Sequence, residues 1–339
     1  MKKKILTGSV SLVILLLLYA AWSFLGPTVK MPEKKFFYVH TGETFTQMEA
    51  SLHDSKIISG KIWFKWVSKI IGYKTVKPGR YEIKKGMNLL SLVRMLKNGQ
   101  QSLVNFVITK IRTKEILASK IGTAFECDSL QMISYLNNPD SLKQYGLDTN
   151  TAIIAAMPFT YAIKWNTTAG KIFQHFFLAY KTFWTAERKQ KAENRHLTPA
   201  QVCILASIIE EETNLKSDKP KIASVYLNRI AKGMTLQADP TIKFALKDFS
   251  LKRIYNTHLK VQSPYNTYIN KGLPPGPICT PSVETIEAVL DAPLTNYLYF
   301  VANSNFDGSS VFSSTYEQHM KNAKAYQQAL NKIDSLNKK

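Results

Sequence analysis

The chain has 339 residues, 45% of them hydrophobic, which suits about two or three domains and argues against wholesale disorder. Its formal net charge is +21, from 45 Lys+Arg against 24 Asp+Glu, and such an excess suits nucleic acid, an anionic membrane face or an acidic polymer. Only seven of the 45 are arginines, so bidentate base readout is poorly provided for.

The first element is "MKKKILTGSVSLVILLLLYAAWSFLGP". Lys2, Lys3 and Lys4 precede an uncharged run of 21 residues from Ile5 to Leu25, close to the ~20 that a helix needs to cross a bilayer. Trp22 and Phe24 near its outer end suit an aromatic belt, and the lysines should stay cytoplasmic. A signal peptide has an apolar region of about 7–15 residues and a small-residue cleavage site; this run is longer and the site is poor. The sequence therefore predicts a cytoplasmic tail (1–4), a transmembrane helix (5–25) and a body held outside the inner membrane. There it would meet no genome. Nucleic acid is not an expected partner, whereas cell-wall polymer and anionic lipid are.

Residues 26–35 contain Pro and Lys and read as a linker. Residues 36–101 read as a small α/β subdomain. "FFYVHTGETF" alternates like a strand, and "TFTQMEASLHDSKII" and the strongly apolar "KIWFKWVSKI" read as helices. "KPGRYEI" is a turn and strand, and "KKGMNLLSLVRMLKNG" a helix ended by Gly99. Val-x-x-Gly-x-Thr (39–44) and Lys-x-Gly-Met-x-Leu (84–89) each lead into a helix and look like degenerate LysM modules, a family that binds N-acetylglucosamine polymers. A spacer or packing domain is the alternative. Residues 102–339 read as a mixed α+β domain, which makes the whole an α+β chain. "SLVNFVIT" is a strand. The aromatic stripe through Ile172, Phe176, Phe177, Tyr180 and Phe183 is core.

"HLTPAQVCILASIIEEETN" carries a complete helix start: Thr198 as N-cap, Pro199 at the first position, and Gln201 completing a capping box. At about 100° per residue, Glu212 continues the apolar stripe of Leu205, Ile208 and Ile209. Glu210 projects away from that stripe and Glu211 sits at its edge. Burial raises a carboxyl pKa, and a glutamic acid still protonated near neutrality can protonate a glycosidic oxygen. Three solvated glutamates at a helix end are the bland alternative. No His-Glu-x-x-His or comparable cluster points to a metal. The three cysteines, Cys127, Cys203 and Cys279, form no CxxC pair and no disulfide framework. No cofactor is called for.

Downstream, "MTLQADPTIKFAL" (234–246) places Gln237, Asp239 and Thr241 in a short turn around Pro240. "SPYNTYINKGLPPGPICTP" (263–281) is a constrained loop in which Tyr265 and Tyr268 flank Asn266. Rings beside amides suit sugar binding, and a purely structural loop is the alternative. "NYLYFVANSNFDGSSVFSSTYEQH" reads as a strand, a turn at Asp307-Gly308 and a second strand.

Taken together, "ASIIEEET", "LQADPT", "YNTY…GLPPGPI…P" and "YLYFVA…F…T…H", in that order, resemble the YceG-like (MltG) family of endolytic murein transglycosylases over residues 36–330. The resemblance implies cleavage of MurNAc–GlcNAc β-1,4 bonds within glycan strands to 1,6-anhydroMurNAc ends. The family's Glu-x-Glu-Thr motif falls on Glu210, Glu212 and Thr213, with Glu212 catalytic and Glu210 supporting. Gln237, Asp239, Tyr265, Asn266 and Tyr268 are the expected substrate contacts. Phe159 stands where the family commonly has a polar residue between Pro158 and Thr160. Two alternatives stay open: a muramidase hydrolase using Asp239 as second carboxylate, and a non-enzymatic wall-binding scaffold working with peptidoglycan synthases.

Overall fold

The computed structural model describes residues 2–337, with side chains over 10–333. The chain is mixed α+β, with three two-stranded sheets set among helices in the described residues. It divides into two compact units. The first runs through Phe106 and takes in residues 121–128 and 162–168; the second holds residues 107–120, 129–161 and 169 onwards.

In the first unit, α1 (Lys2–Leu25) covers the run expected to be an anchor. Among the described residues no helix is long and apolar enough to cross a membrane. Residues 5–9 of the expected span lie outside the described side chains. There follow β1 (Phe36–Val39), α2 (Phe45–Asp54), α3 (Lys61–Ile70), β2 (Gly79–Glu82) and α4 (Leu89–Asn98). β1 and β2 pair antiparallel, Phe36 opposite Glu82 and Val39 opposite Gly79. Strand alternation turns Phe37, Val39 and Tyr81 inward, onto a core that includes Met48, Leu52, Phe64 and Leu92. Thr44 and Gln47 form a capping box on α2, and Asn88 caps α4. Gly99, at φ 68°, ends α4 in the left-handed region that glycine enters without strain. Residues 26–35, expected as a linker, pack along the first unit. Val29 is buried, its N–H donates to the Met87 carbonyl, and the Lys30 N–H donates to that of Ile57.

β3 (Val104–Val107) and β4 (Thr160–Ile163) form the second sheet. The helices after β3 are α5 (Lys114–Ala124), α6 (Ser129–Leu136), α7 (Pro139–Lys143), α8 (Ala169–Phe183), α9 (Ala186–Asn194), α10 (Pro199–Glu212), α11 (Lys219–Ala231), α12 (Asp239–Leu246) and α13 (Val283–Leu290). β5 (Tyr299–Ala302) and β6 (Ser310–Ser313) pair antiparallel, and α14 (Tyr316–Asn337) closes the chain. The aromatic stripe of α8 is core as expected: Ile172, Phe176, Tyr180 and Phe183 are buried and Phe177 packs at the margin. All three cysteines are free and buried.

The centre of the second unit is α10. Thr198 and Gln201 make the capping box and Pro199 opens the helix, as the sequence indicates. Every residue from Val202 to Ile209 is buried, so the stripe of Leu205, Ile208 and Ile209 is one sector of a helix enclosed on all sides. Each such Leu or Ile contributes about 1.5–3 kcal/mol by burial. This makes α10 a rigid rod whose last turn carries the three glutamates.

One expectation needs correction. Residues 234–246 are not only a turn, since α12 starts at Asp239. Pro240 lies in its first turn, where a missing N–H costs nothing and the fixed φ suits a helix. Thr241 is fully buried, and its hydroxyl bonds the Ala238 carbonyl at 2.7 Å and lies 2.9 Å from the Thr267 hydroxyl.

Candidate active site

The three adjacent carboxylates of α10 have three different environments, and none is fully exposed. Glu210 accepts from the hydroxyls of Ser282 (2.8 Å) and Thr285, with the ammonium of buried Lys219 at 3.4 Å. Burial opposes its charge, but the Thr285 and Ser282 bonds and then the Lys219 charge outweigh it, holding the carboxyl below its usual range. Glu211 pairs with Arg112 at 2.9 Å and Lys110 at 3.1 Å. Both ion pairs fasten the end of α10 to its surroundings.

Glu212 has no ion pair among the described residues. It is the last residue of α10, half-buried on the wall of an open cleft of about 280 Å³, lined also by Arg229, Gln237, Asp239, Tyr268, Phe300 and His319. The Tyr226 hydroxyl, on α11, donates to Oε1 of Glu212 at 2.6 Å. Burial pushes the Glu212 carboxyl up to about 7; the Asp239 charge adds to the rise, while the Tyr226 bond and the charges of Lys243 and Arg229 oppose it. Loss of hydration therefore dominates over local attraction, and the protonated form persists close to neutral pH.

Asp239 and Gln237 are exposed in the same cleft. Tyr268 donates to Oδ1 of Asp239 at 2.5 Å, coupling the 263–281 loop to the start of α12. Gln237 sits at φ 54°, a left-handed conformation unusual for a residue with a side chain, and its N–H is held by the Thr267 carbonyl at 3.0 Å. The structure thus gathers Glu212, Gln237, Asp239 and Tyr268. It does not bring Asn266 or Tyr265 to them. Asn266 is fully buried. Its amide donates to the carbonyls of Leu259 (2.8 Å) and Val261 (2.9 Å), and its Oδ1 accepts from the Tyr268 N–H. It therefore pins the loop that presents Tyr268. Tyr265 lines a separate hollow of about 250 Å³ with Arg112, Asn150 and Lys247. There Gly276 is required: a β-carbon on it would fall 2.3 Å from the Asn150 carbonyl oxygen and 2.8 Å from the Tyr265 hydroxyl.

Sequence reasoning missed Tyr226, Arg229, Phe300 and His319. Tyr226 and Arg229 lie three apart on one face of α11, a spacing that reads simply as helix. Arg229 is buried; its Nε donates to the Leu298 carbonyl and Nη1 to that of Leu236, both at 2.7 Å. It ties β5 and the segment before Gln237 to α11 and leaves a positive charge beside the acid. Phe300 and His319 were within the motif "YLYFVA…F…T…H", but their cleft position depends on a fold of β5, β6 and α14 that spacing does not reveal. The His319 ring stacks on Tyr299 (5.2 Å, 21°). Burial, then the Arg229 charge, holds its pKa below the usual value, so the ring is neutral at neutral pH. Phe159 packs against the buried core near Tyr161 and Phe183.

An acid whose protonated form persists near neutrality, opening on a cleft with a second carboxylate, amide and aromatic groups, is the arrangement of an enzyme that works by general acid catalysis. The chain belongs to the YceG-like family, whose model matches residues 37–325. It is 29% identical over 304 residues to the endolytic murein transglycosylase of Bacillus subtilis (strain 168), covering 85% of this chain and 83% of that protein. It is 24% identical to the endolytic murein transglycosylase of Streptococcus pneumoniae serotype 2 (strain D39), covering 87% of this chain but 57% of the relative. A crystal structure of a YceG-like protein from Listeria monocytogenes is similar with a TM-score of 0.56 and 28% identity, covering 85% of this chain and 99% of that one.

Proposed function

We propose that this chain is an endolytic murein transglycosylase, a lyase that cuts MurNAc–GlcNAc β-1,4 bonds within nascent glycan strands and so ends their elongation. The observation that carries the reading is Glu212: a cleft carboxyl with its pKa near 7 and Oε1 occupied by Tyr226. Oε2 is then the oxygen left to carry the proton. It protonates the leaving O4 of GlcNAc as the C1–O4 bond breaks. The carboxylate formed then takes the proton of the MurNAc C6 hydroxyl, whose oxygen closes on C1 to give the 1,6-anhydro ring. One glutamate serves as acid and then base, and no water is consumed. Asp239, Gln237 and Tyr268 supply hydrogen-bonding groups for the sugar rings.

Membrane anchoring by α1, with the N-terminus cytoplasmic and the body outside, is part of the proposal. Its support is the lysine-flanked apolar run and the exposure of Leu12, Leu15 and Leu18. A LysM-like contribution of residues 36–101 to glycan binding, and a peptidoglycan synthase as partner, belong to the same proposal.

Asp239 in the same cleft favours a second reading, a muramidase that activates water with a second carboxylate. Mass spectrometry of digests of nascent glycan separates the two. Anhydro ends from the wild type and none from Glu212→Gln support the lyase; reducing ends that have gained water support the hydrolase. No cleavage by either protein sinks the enzyme reading and leaves a wall-binding scaffold.

A further inference from the structure

The helix α3, "KIWFKWVSKI", has more apolar surface than its unit buries. Its residues fall into three rows. Phe64, Val67 and Ser68 are 0–3% exposed and face the core. Ile62, Trp66 and Ile70, spaced four apart, are 70%, 59% and 69% exposed. Lys61, Lys65 and Lys69 form the third row, and of these only Lys65 has a carboxylate partner among the described residues, Glu49 at 3.4 Å. Two isoleucines and a tryptophan exposed in one row form a contiguous apolar strip, unlike singly scattered surface residues.

Trp63 lies between the core row and the exposed apolar row. Its ring meets Tyr19 (6.0 Å) and Phe24 (5.3 Å), both in the last two turns of α1. From Tyr19 to Leu25 is six residues, or about 9 Å of helix rise. That matches the depth of about 5–10 Å to which an interfacial helix sinks at the boundary between headgroups and acyl chains. The packing thus sets α3 against the end of the apolar helix, its exposed apolar row adjoining α1 and its lysines on the far side.

We propose that α3 is an interfacial helix that docks on an anionic lipid surface, with Ile62, Trp66 and Ile70 in the acyl boundary and Lys61, Lys65 and Lys69 at the lipid phosphates. The long lysine stems allow the ammonium groups to reach outward from a helix lying at that depth. The inference rests on the reading of α1 as an anchor and adds a second attachment. A single helix leaves the body free to swivel; a second, lateral contact fixes which face of the first unit looks at the membrane.

The test uses the full chain with Ile62→Cys or Ile70→Cys carrying an environment-sensitive fluorophore, since the three native cysteines are buried. The protein is reconstituted into phosphatidylcholine vesicles with and without phosphatidylglycerol. The expected result is blue-shifted emission, quenched by lipid-borne nitroxide several-fold more than by aqueous iodide, and more strongly with phosphatidylglycerol. Lys61→Glu with Lys69→Glu should abolish the difference between the two vesicles. A chain that floats with vesicles while its labels stay open to iodide overturns the α3 proposal alone. Labels shielded from both quenchers overturn it in favour of a docked protein. A chain that does not float overturns the anchor reading and this inference together.

Discussion

The hydroxyl of Tyr226 donates to Oε1 of Glu212 at 2.6 Å, so the acid is held by a neutral donor rather than by a cation. That choice of partner sets the chemistry. An arginine or lysine in the same place would favour the ionised form of Glu212 at neutral pH, whereas at Glu210 the Thr285 and Ser282 hydroxyls and then the Lys219 charge do so. The phenol orients the carboxyl and steadies the transient carboxylate while burial keeps the proton on.

Tyr226→Phe therefore has a signed consequence. It removes a bond that favours the carboxylate, so the Glu212 pKa should rise above about 7 by roughly one unit. The high-pH limb of kcat/KM should move up with it, while kcat falls about tenfold from lost orientation. The pH–rate profile is the measurement. A limb that stays in place would show that Tyr226 does not act on the acid.

Glu212→Gln should abolish cleavage and yet stabilise the fold. The folded pKa of Glu212 lies above the usual carboxylate value, so the native state binds more protons than the unfolded chain between about pH 4.5 and 7. Stability from this group is then fully present below about pH 4.5 and lost as pH rises to about 7. Glutamine cannot ionise. Urea unfolding should show the variant more stable by about 1–3 kcal/mol at pH 8, with the difference shrinking toward zero near pH 4. In the wild type, cleavage should fall about tenfold per pH unit above 7, as the acid form is depleted.

Glu210→Gln should do the opposite. Its carboxyl is held below the usual range, so its contribution is present above about pH 4.5 and lost as pH falls through the folded value. Removing it leaves the ammonium of Lys219 inside the fold with the Thr285 hydroxyl at 2.8 Å and, as its carboxylate, Glu284 at 3.4 Å, a loss of about 2–4 kcal/mol near pH 7. Glu211→Gln weakens the pairs to Arg112 and Lys110, both about a third exposed, and should cost about 1 kcal/mol. At temperatures where these variants stay folded, product chemistry should be unchanged. Urea midpoints set beside anhydro-product yields separate the three glutamates.

The separation of these glutamates was legible in the sequence because α10 has an unambiguous start and a helix has a fixed angular step. What each one meets was not legible. Glu210 leaves the Glu212 side, but its partners Ser282 and Thr285 arrive from about seventy residues downstream, and periodicity carries no information about such pairings. Five of the strands, the caps and the aromatic core follow local rules and came through, whereas β4 (Thr160–Ile163) went unread. α12 was obscured by reading Asp-Pro as a turn, although proline opens helices as readily. Asn266 and Tyr265 share a motif with Tyr268, yet one is sealed inside the loop and the other turns to a different hollow. Composition marks a loop as sugar-like without saying which of its side chains faces the cleft.

Asp239 tests the choice between transglycosylation and hydrolysis. Its Oδ1 accepts from Tyr268 at 2.5 Å, which leaves Oδ2 as the oxygen that would meet a sugar hydroxyl in the lyase or a water in the hydrolase. Asp239→Asn should raise KM several-fold through the lost sugar contact and leave anhydro ends as the product. It should also lower the Glu212 pKa slightly, since the Asp239 charge is one of the causes that raise it. A variant that loses all cleavage, with reducing ends as the wild-type product, would favour the hydrolase.

His319 offers the sharpest side-chain test in the cleft. Among the described residues its Nδ1 is buried without a hydrogen-bond partner, and the ring is fixed by stacking on Tyr299. A buried N–H with no acceptor is costlier than a bare nitrogen acceptor, so the neutral ring should keep its proton on Nε2, where it can serve a sugar oxygen in the cleft. Gln places an amide N–H near the position of Nε2, whereas Asn places one near Nδ1. His319→Gln should therefore retain kcat/KM within about tenfold, while His319→Asn and His319→Leu lose about a hundredfold, on the scale of 1.36 kcal/mol per factor of ten. Equal losses in all three would assign His319 to packing against Tyr299 alone.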